Sequence, residues 1–211
     1  MAEIYFDNVS SSSLGLTFVS GTLAVPEAKT NTVDIPYSNS SIDLTEYFGD
    51  VVYKNRTITL SFYVSDYSKK YEVASEVTNL LHGKTRKIII PSYPDYYFRG
   101  RCSVSSTEVS NNKTYQITVS ASCYPYRLKN STTSVTASAT GTITLSNDAM
   151  PATLNITVDA DEVIFTFEGG VYDLTKGTHT LAKALPDGGT DIKITTLTNG
   201  SATFEYQEGA L

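Results

Sequence analysis

Thr57-Ile58-Thr59-Leu60-Ser61-Phe62-Tyr63-Val64 alternates without a break. In an extended chain Ile58, Leu60, Phe62 and Val64 share one face, and Thr57, Thr59, Ser61 and Tyr63 share the other, because successive side chains point to opposite sides. This alternation makes one buried face and one wet or lightly covered face, as in an antiparallel sheet. The same period returns in Thr114 to Tyr124, where Tyr115, Ile117, Val119, Ala121 and Cys123 align and Pro125 ends the run. Weaker strands are expected at Ile4 to Phe6, at Leu14 to Val25 with Leu14, Leu16 and Phe18 on one face, at Lys87 to Pro91 and at Tyr96 to Val104. One stretch has the helical period instead: from Ser68 to His82, Val73, Ala74, Val77, Leu80 and Leu81 form a narrow apolar stripe. Asp66 or Ser68 can cap its start, and Gly83 stands where a left-handed C-terminal cap is wanted. A narrow stripe suits a helix lying on a sheet. Residues 26 to 50, with Pro26, Pro36 and many Ser and Asn, read as irregular, and a stretch of that length is often functional.

Composition agrees with a mainly β fold, all-β but for one amphipathic helix. Of 211 residues 40% are hydrophobic, enough for real cores, while only 18% are charged and 15 are Tyr. Thr and Tyr suit exposed strand faces better than long helices. The formal net charge of −6 argues against reliance on nucleic-acid phosphates. The nearest basic group, Lys84, Arg86 and Lys87 with Arg99, Arg101 and Lys113, reads as a solvated strand face. No run approaches the roughly 18 consecutive apolar residues that cross a bilayer. The opening Met1 to Asp7 has neither a basic leader nor an apolar core, so synthesis in the cytoplasm without recognisable export is expected. Under that expectation the triplets at Asn8, Asn55 and Asn155 are chance matches rather than glycosylation sites.

A Ser-, Thr- and Ala-rich stretch over 129 to 142 marks a domain boundary near Asn130, giving domains 1–130 and 131–211. The second half shows short strands at about ten-residue spacing, the rhythm of a β-sandwich. Leu154, Ile156 and Val158 align, as do Val163, Phe165 and Phe167, with Asp159 to Glu162 as the expected turn between them. Further strands are expected near Val171 to Leu174, Thr178 to Leu181, Ile192 to Thr196 and Ala202 to Tyr206.

Chemistry is scarce. His82 closes the helix, where a cation complements the negative helix end, and His179 sits at a turn or strand start; neither has a neighbour at metal-ligand spacing. No Gly-X-Ser-X-Gly elbow, Cys-X-X-Cys pair or phosphate-binding glycine pattern occurs, so no catalytic, cofactor or metal residue is assigned. Asp159, Asp161 and Glu162, and separately Asp43, Glu46 and Asp50, are oxygen-rich clusters that read as polar turns. Cys102 and Cys123 lie on two segments joined by a polar turn near Asn111-Asn112, which brings them nearly opposite each other. A cross-strand disulfide is conceivable, and the compartment argument favours two buried thiols. The Tyr-rich run Pro91 to Phe98 is the best contact surface in the N-terminal part.

Several segments then carry a family resemblance. Ile4 to Ser11 followed by Leu14-Gly15-Leu16, the arginine-led strand in Tyr53 to Phe62, the amphipathic helix after it, Pro94 to Gly100, and the close Phe204 to Leu211 resemble, in that order, the distal tail (Dit) proteins of siphophages. Gln207 and Ala210 depart from the family, where a basic and an aromatic residue are common, and no carbohydrate-binding insertion is visible. The resemblance implies a structural virion protein, not an enzyme, with no cofactor. It implies an N-terminal β-sandwich domain over 1–130 that forms a hexameric ring at the tail tip or baseplate. A galectin-like β-sandwich over 131–211 points outward. The ring's partners are the tail tube protein and the tail-associated hub or receptor-binding proteins, with no nucleic acid and no membrane insertion. Residues 26 to 56 are the expected ring contact. The alternative is a carbohydrate-binding module or adhesin; Tyr172 and Tyr206 are the only tyrosines its C-terminal half offers to a sugar.

Overall fold

The alternating run becomes a nine-residue strand, Arg56–Val64, whose burial alternates along its length as the side-chain period demands. In the computed structural model, which describes residues 3–47, 49, 51–109 and 114–211, the chain divides into two compact units, Met1–Arg127 with Leu211 and Leu128–Ala210.

In the first unit the strands are β1 (Tyr5–Phe6), β2 (Val9–Ser10), β3 (Leu16–Leu23), β4 (Thr32–Asp34), β5 (Ser41–Asp43), β6 (Arg56–Val64), β7 (Thr85–Ile89), β8 (Tyr96–Val109) and β9 (Thr114–Cys123). Seven of them make one antiparallel sheet in the order β2-β1-β7-β8-β9-β6-β3. The sheet curls over a single core: Phe6 of β1 and Phe62 of β6, far apart along the sheet, meet with ring centroids 6.2 Å apart. The helix α1 (Lys70–Leu81) closes that core with Val77 and Leu81. A 3-10 turn, Tyr67–Lys69, precedes it, and the Asp66 carboxylate accepts the Ser68 N–H at 3.0 Å. Gly83, at φ 72, takes the left-handed position after the helix, where a Cβ is disfavoured.

The segment 26–50, expected to be irregular, contains the hairpin β4–β5. Its alternation was hidden because both faces are exposed, so no apolar face marks the strands. The expected polar turn at Asn111-Asn112 lies outside the described residues, as do Asp50 and Lys113.

After β10 (Arg127–Lys129), the second unit contains β11 (Thr133–Ala137), β12 (Gly141–Asn147), β13 (Asn155–Phe167), β14 (Gly170–Thr180), β15 (Gly188–Thr198), β16 (Ala202–Tyr206) and β17 (Gly209–Ala210). Its sheet runs β11-β16-β13-β15-β12, with β14 on the other side of β13. The Ser-, Thr- and Ala-rich stretch over 129 to 142 therefore holds β11 and the start of β12. Asp159 to Glu162 is likewise no hairpin tip. β13 runs straight through it for 13 residues with a register shift between Val158 and Glu162. Ala160, fully buried, keeps the inward period alive there, too small to register as apolar in the sequence. β15 and β16 pair with β13 in succession, and the unit wraps one core in which Phe165 meets Phe204 edge-on at 5.4 Å. Glu168 at φ 47 and Gly169 at φ 75 make the two-residue turn from β13 to β14 that right-twisted hairpins prefer.

A projecting arm as the candidate functional site

Arg56 roots the most unusual surface of the molecule. It is buried, its Nε donates to the Ala24 carbonyl at 2.9 Å, its Nη1 to the Pro125 carbonyl at 3.1 Å, and its guanidinium lies 5.3 Å from the centre of the Phe98 ring. Burial, and then the nearby Arg127 charge, pull its pKa below the ordinary arginine value. It thereby ties both neighbours of the sheet's end to the point where the 25–55 segment leaves it.

Beyond that root the two legs of the arm run side by side. Lys29 N–H donates to the Val52 carbonyl and Lys54 N–H to the Glu27 carbonyl, each at 2.7 Å. The Lys54 ammonium pairs with Glu27 at 3.1 Å, an exposed pair worth little on its own. Further out β4 and β5 pair through Thr32–Asp43, Val33–Ile42 and Asp34–Ser41. Val33, Ile35, Ile42, Tyr37 and Val52 are all exposed on this arm. Tyr37 stands fully in solvent at φ 64, a left-handed conformation that bulky residues rarely adopt. No described residue from 25 to 55 belongs to either buried core. The sequence showed where the arm is and missed its hairpin; the signal was Val33 and Ile42 flanking the turn residues Pro36 and Asn39.

The other residues singled out from the sequence are spent on the fold. Cys102 and Cys123 are both buried and free. They are not opposite each other: Cys102 pairs with Ala121 and Cys123 with Gly100, which makes them diagonal neighbours on one face. Burial pushes Cys102 up to about 11 and Cys123 up to about 12. His82 follows the helix, and its Nδ1 accepts the Val104 N–H at 3.0 Å. His179 lies inside β14, with Nε2 2.8 Å from the Thr175 carbonyl. Asp159 pairs with Lys176 at 2.8 Å, and Asp161 accepts from Asn199 at 2.9 Å. Asp43 accepts the Thr45 N–H at 2.9 Å, and its bonds with Thr45 hold its carboxyl below the usual range.

The Tyr-rich run is also partly committed. Tyr93 packs edge-on against Phe98 at 6.3 Å, and Arg127 lies 4.5 Å from Tyr93 and 5.2 Å from Tyr96. Of the two tyrosines available to a sugar, Tyr206 is buried with its hydroxyl donating to the Ser146 carbonyl at 2.7 Å, and Tyr172 stacks on Phe165 at 5.4 Å. Neither forms an open stacking platform. Among the described residues no group of three or more His, Cys, Asp or Glu is placed to hold a metal ion.

Fold and surface together define a mainly β protein of two units whose distinctive exposed feature is a rooted, apolar-tipped arm. The fold is similar to that of SPP1 Dit (gp 19.1), whose crystal structure is described as a paradigm of the hub adsorption apparatus in phages infecting Gram-positive bacteria. The TM-score is 0.74 with 14% sequence identity, over 100% of both chains. The distal-tail fold that the ordered sequence matches implied is thus the fold observed. No protein-family model matches the chain, and no curated protein matches it.

Proposed function

We propose that this chain is a structural subunit of a phage tail tip, in which copies close into a hexameric ring through the arm over residues 26–56. The observation that carries the reading is the full-length likeness to a hub adsorption protein, and the arm supplies a means of assembly. A closed ring needs a heterologous interface, in which unlike patches of neighbouring copies meet. An arm that keeps Val33, Ile35, Tyr37 and Ile42 in water is costly in a monomer and useful in such a contact. In this reading residues 1–130 form the ring, joining the tail tube on one side to the hub or receptor-binding proteins on the other. Residues 131–211 form an outward, galectin-like unit. The protein acts by assembly rather than catalysis, is made in the bacterial cytoplasm and resides in the virion. Electron microscopy of purified protein and of labelled virions tests this. Rings of six at the tail tip are the expected result, and a strictly monomeric protein absent from the tip overturns it.

A further inference from the structure

The outer part of the arm has one electrical sign. Residues 30–53 contain Asp34, Asp43, Glu46 and Asp50 and no Lys or Arg. Asp34, Asp43 and Glu46 are exposed, and none of these three forms an ion pair with a described residue. The outer face of the first unit's sheet has the opposite sign at one end. Lys87 of β7 stands directly across from Arg99 of β8, and Arg101, two residues on, shares their face beside Thr85. Tyr124, 60% exposed, continues the Lys87–Arg99 row, since its N–H donates to the Arg99 carbonyl at 3.0 Å. Asn55, Thr85, Arg99, Arg101, Ser122 and Tyr124 line a shallow hollow there.

This basic face is unneutralised. Arg86, on the opposite face of β7, pairs with Asp7 at 2.9 Å, whereas Lys87, Arg99 and Arg101 form no ion pair with a described residue. Lys87 rests over the Tyr97 ring at 4.3 Å, and Arg101 reaches the Gly83 carbonyl at 2.5 Å. Like charges directly opposite each other destabilise a sheet. A Lys–Arg pair kept in that position, on a chain with a net charge of −6, calls for an anionic partner.

We infer that the acidic arm of one copy docks on the basic β7–β8–β9 face of the next, so that opposite charge sets both the partner and the direction of ring closure. This rests on the ring reading above and names the surface that receives the arm. The arm and the face are unlike patches on the same unit, as a heterologous contact requires. Their charges are complementary, which steers encounter and fixes register more than it adds raw affinity. The arm brings exposed Tyr37 and Ile42, and the face brings exposed Tyr124, so apolar contact accompanies the ion pairs.

A charge-swap experiment on the full chain tests this, with association measured by analytical ultracentrifugation. Wild-type rings should weaken as salt rises from low to high ionic strength, because exposed charges are screened over about 10 Å at 0.1 M. Arg99→Glu with Arg101→Glu should weaken association by ~10-fold or more, and so should Asp34→Lys with Glu46→Lys. Combining all four changes should recover association to within ~3-fold of wild type, because the pairs are restored with reversed sign. All four positions are exposed, so circular dichroism and melting should match wild type; Arg99→Gln with Arg101→Gln gives a milder version if the reversal perturbs the fold. If wild-type protein forms rings and both reversals assemble as wild type, the docking inference fails and the ring reading stands. If wild-type protein is monomeric throughout, both fail. Binding of duplex DNA that is lost on Arg99→Glu with Arg101→Glu, with assembly unchanged, assigns the face to a nucleic acid and overturns the inference.

Discussion

Gly100 shows how closely the sheet is packed at single-residue scale. A Cβ placed on it would lie 2.4 Å from Cys123 Sγ and 2.6 Å from the Ser122 carbonyl oxygen. Gly100→Ala should therefore destabilise the protein by about 1–3 kcal/mol, the range for forcing an extra methyl into a filled core. Adding Cys123→Ala should return only part of that loss, because the Ser122 carbonyl remains in the way. Urea unfolding reads both changes, and an unchanged midpoint for Gly100→Ala would refute the packing argument. The same crowding bears on the two thiols. They are diagonal neighbours, a relation that usually holds residues roughly 7–8 Å apart and their Cβ atoms somewhat closer, against the roughly 3.5–4.5 Å between Cβ atoms in a disulfide. Burial also keeps both thiols protonated well above neutrality. Neither Cys102 nor Cys123 should react with a thiol reagent at pH 8 in the native state, and both should react in denaturant; rapid native labelling would contradict their burial. The sequence placed both cysteines on one buried face. It could not fix the β8–β9 register that sets them diagonal, nor tell Gly100 from a turn glycine.

Among the elements, α1 is tied to β8 by charge as well as by packing. Lys70 Nζ reaches Glu108 at 2.5 Å and sits 4.1 Å from the Tyr67 ring, and Tyr67 also bonds Glu108 through its hydroxyl. The Lys70 and Tyr67 hydrogen bonds hold Glu108 below the ordinary glutamate value of 4.5. A carboxylate with a depressed folded-state pKa adds stability that is complete above its unfolded value and disappears as pH falls through the folded one. The melting temperature should thus fall as pH drops below the usual carboxylate range, and Glu108→Gln should flatten that part of the profile; identical acid profiles would sink the assignment. Elements of this kind, with one apolar face against a core, were legible: β6, β9 and α1 all follow from their periods. Those that were not legible share a physical cause. The arm strands β4 and β5 bury neither face. β11 and β12 are built largely from Ser, Thr and Ala, which carry little hydrophobic contrast. β13 hides its middle behind three acids and a buried alanine. Arg56 is the element-scale feature the sequence did reveal, as the first residue of an alternating strand, though not the carbonyls it holds. Arg56→Leu removes two charge-assisted bonds and leaves the Ala24 and Pro125 carbonyls without them, a loss of about 2–3 kcal/mol. The arm's root should loosen, with faster amide exchange in 24–30 and 52–56 and little change in β13; uniform exchange across the chain would argue against a local anchor.

At the scale of the whole molecule, the arm and the folded units divide labour. Both cores are complete without it, since no described residue between 25 and 55 enters either cluster. Its two legs meet at Lys29 and Val52, joined by a hydrogen bond of 2.7 Å, so residues 30–51 can be replaced by a short Gly-Ser link without stretching the sheet. Shortening a loop changes closure entropy only by about 0.6 kcal/mol per halving, a minor term beside the cores. The truncated chain should therefore melt within a few degrees of wild type and retain its circular dichroism. If the arm is the ring contact, the same change should abolish assembly, giving a folded monomer by light scattering at concentrations where wild type forms rings. The two measurements separate the possibilities. A truncated chain that still assembles removes the arm from the interface. One that unfolds shows that the exposed Val33, Ile35, Tyr37 and Ile42 support the fold after all. Only the folded monomer is consistent with an arm whose apolar residues are held in water for a neighbour to cover.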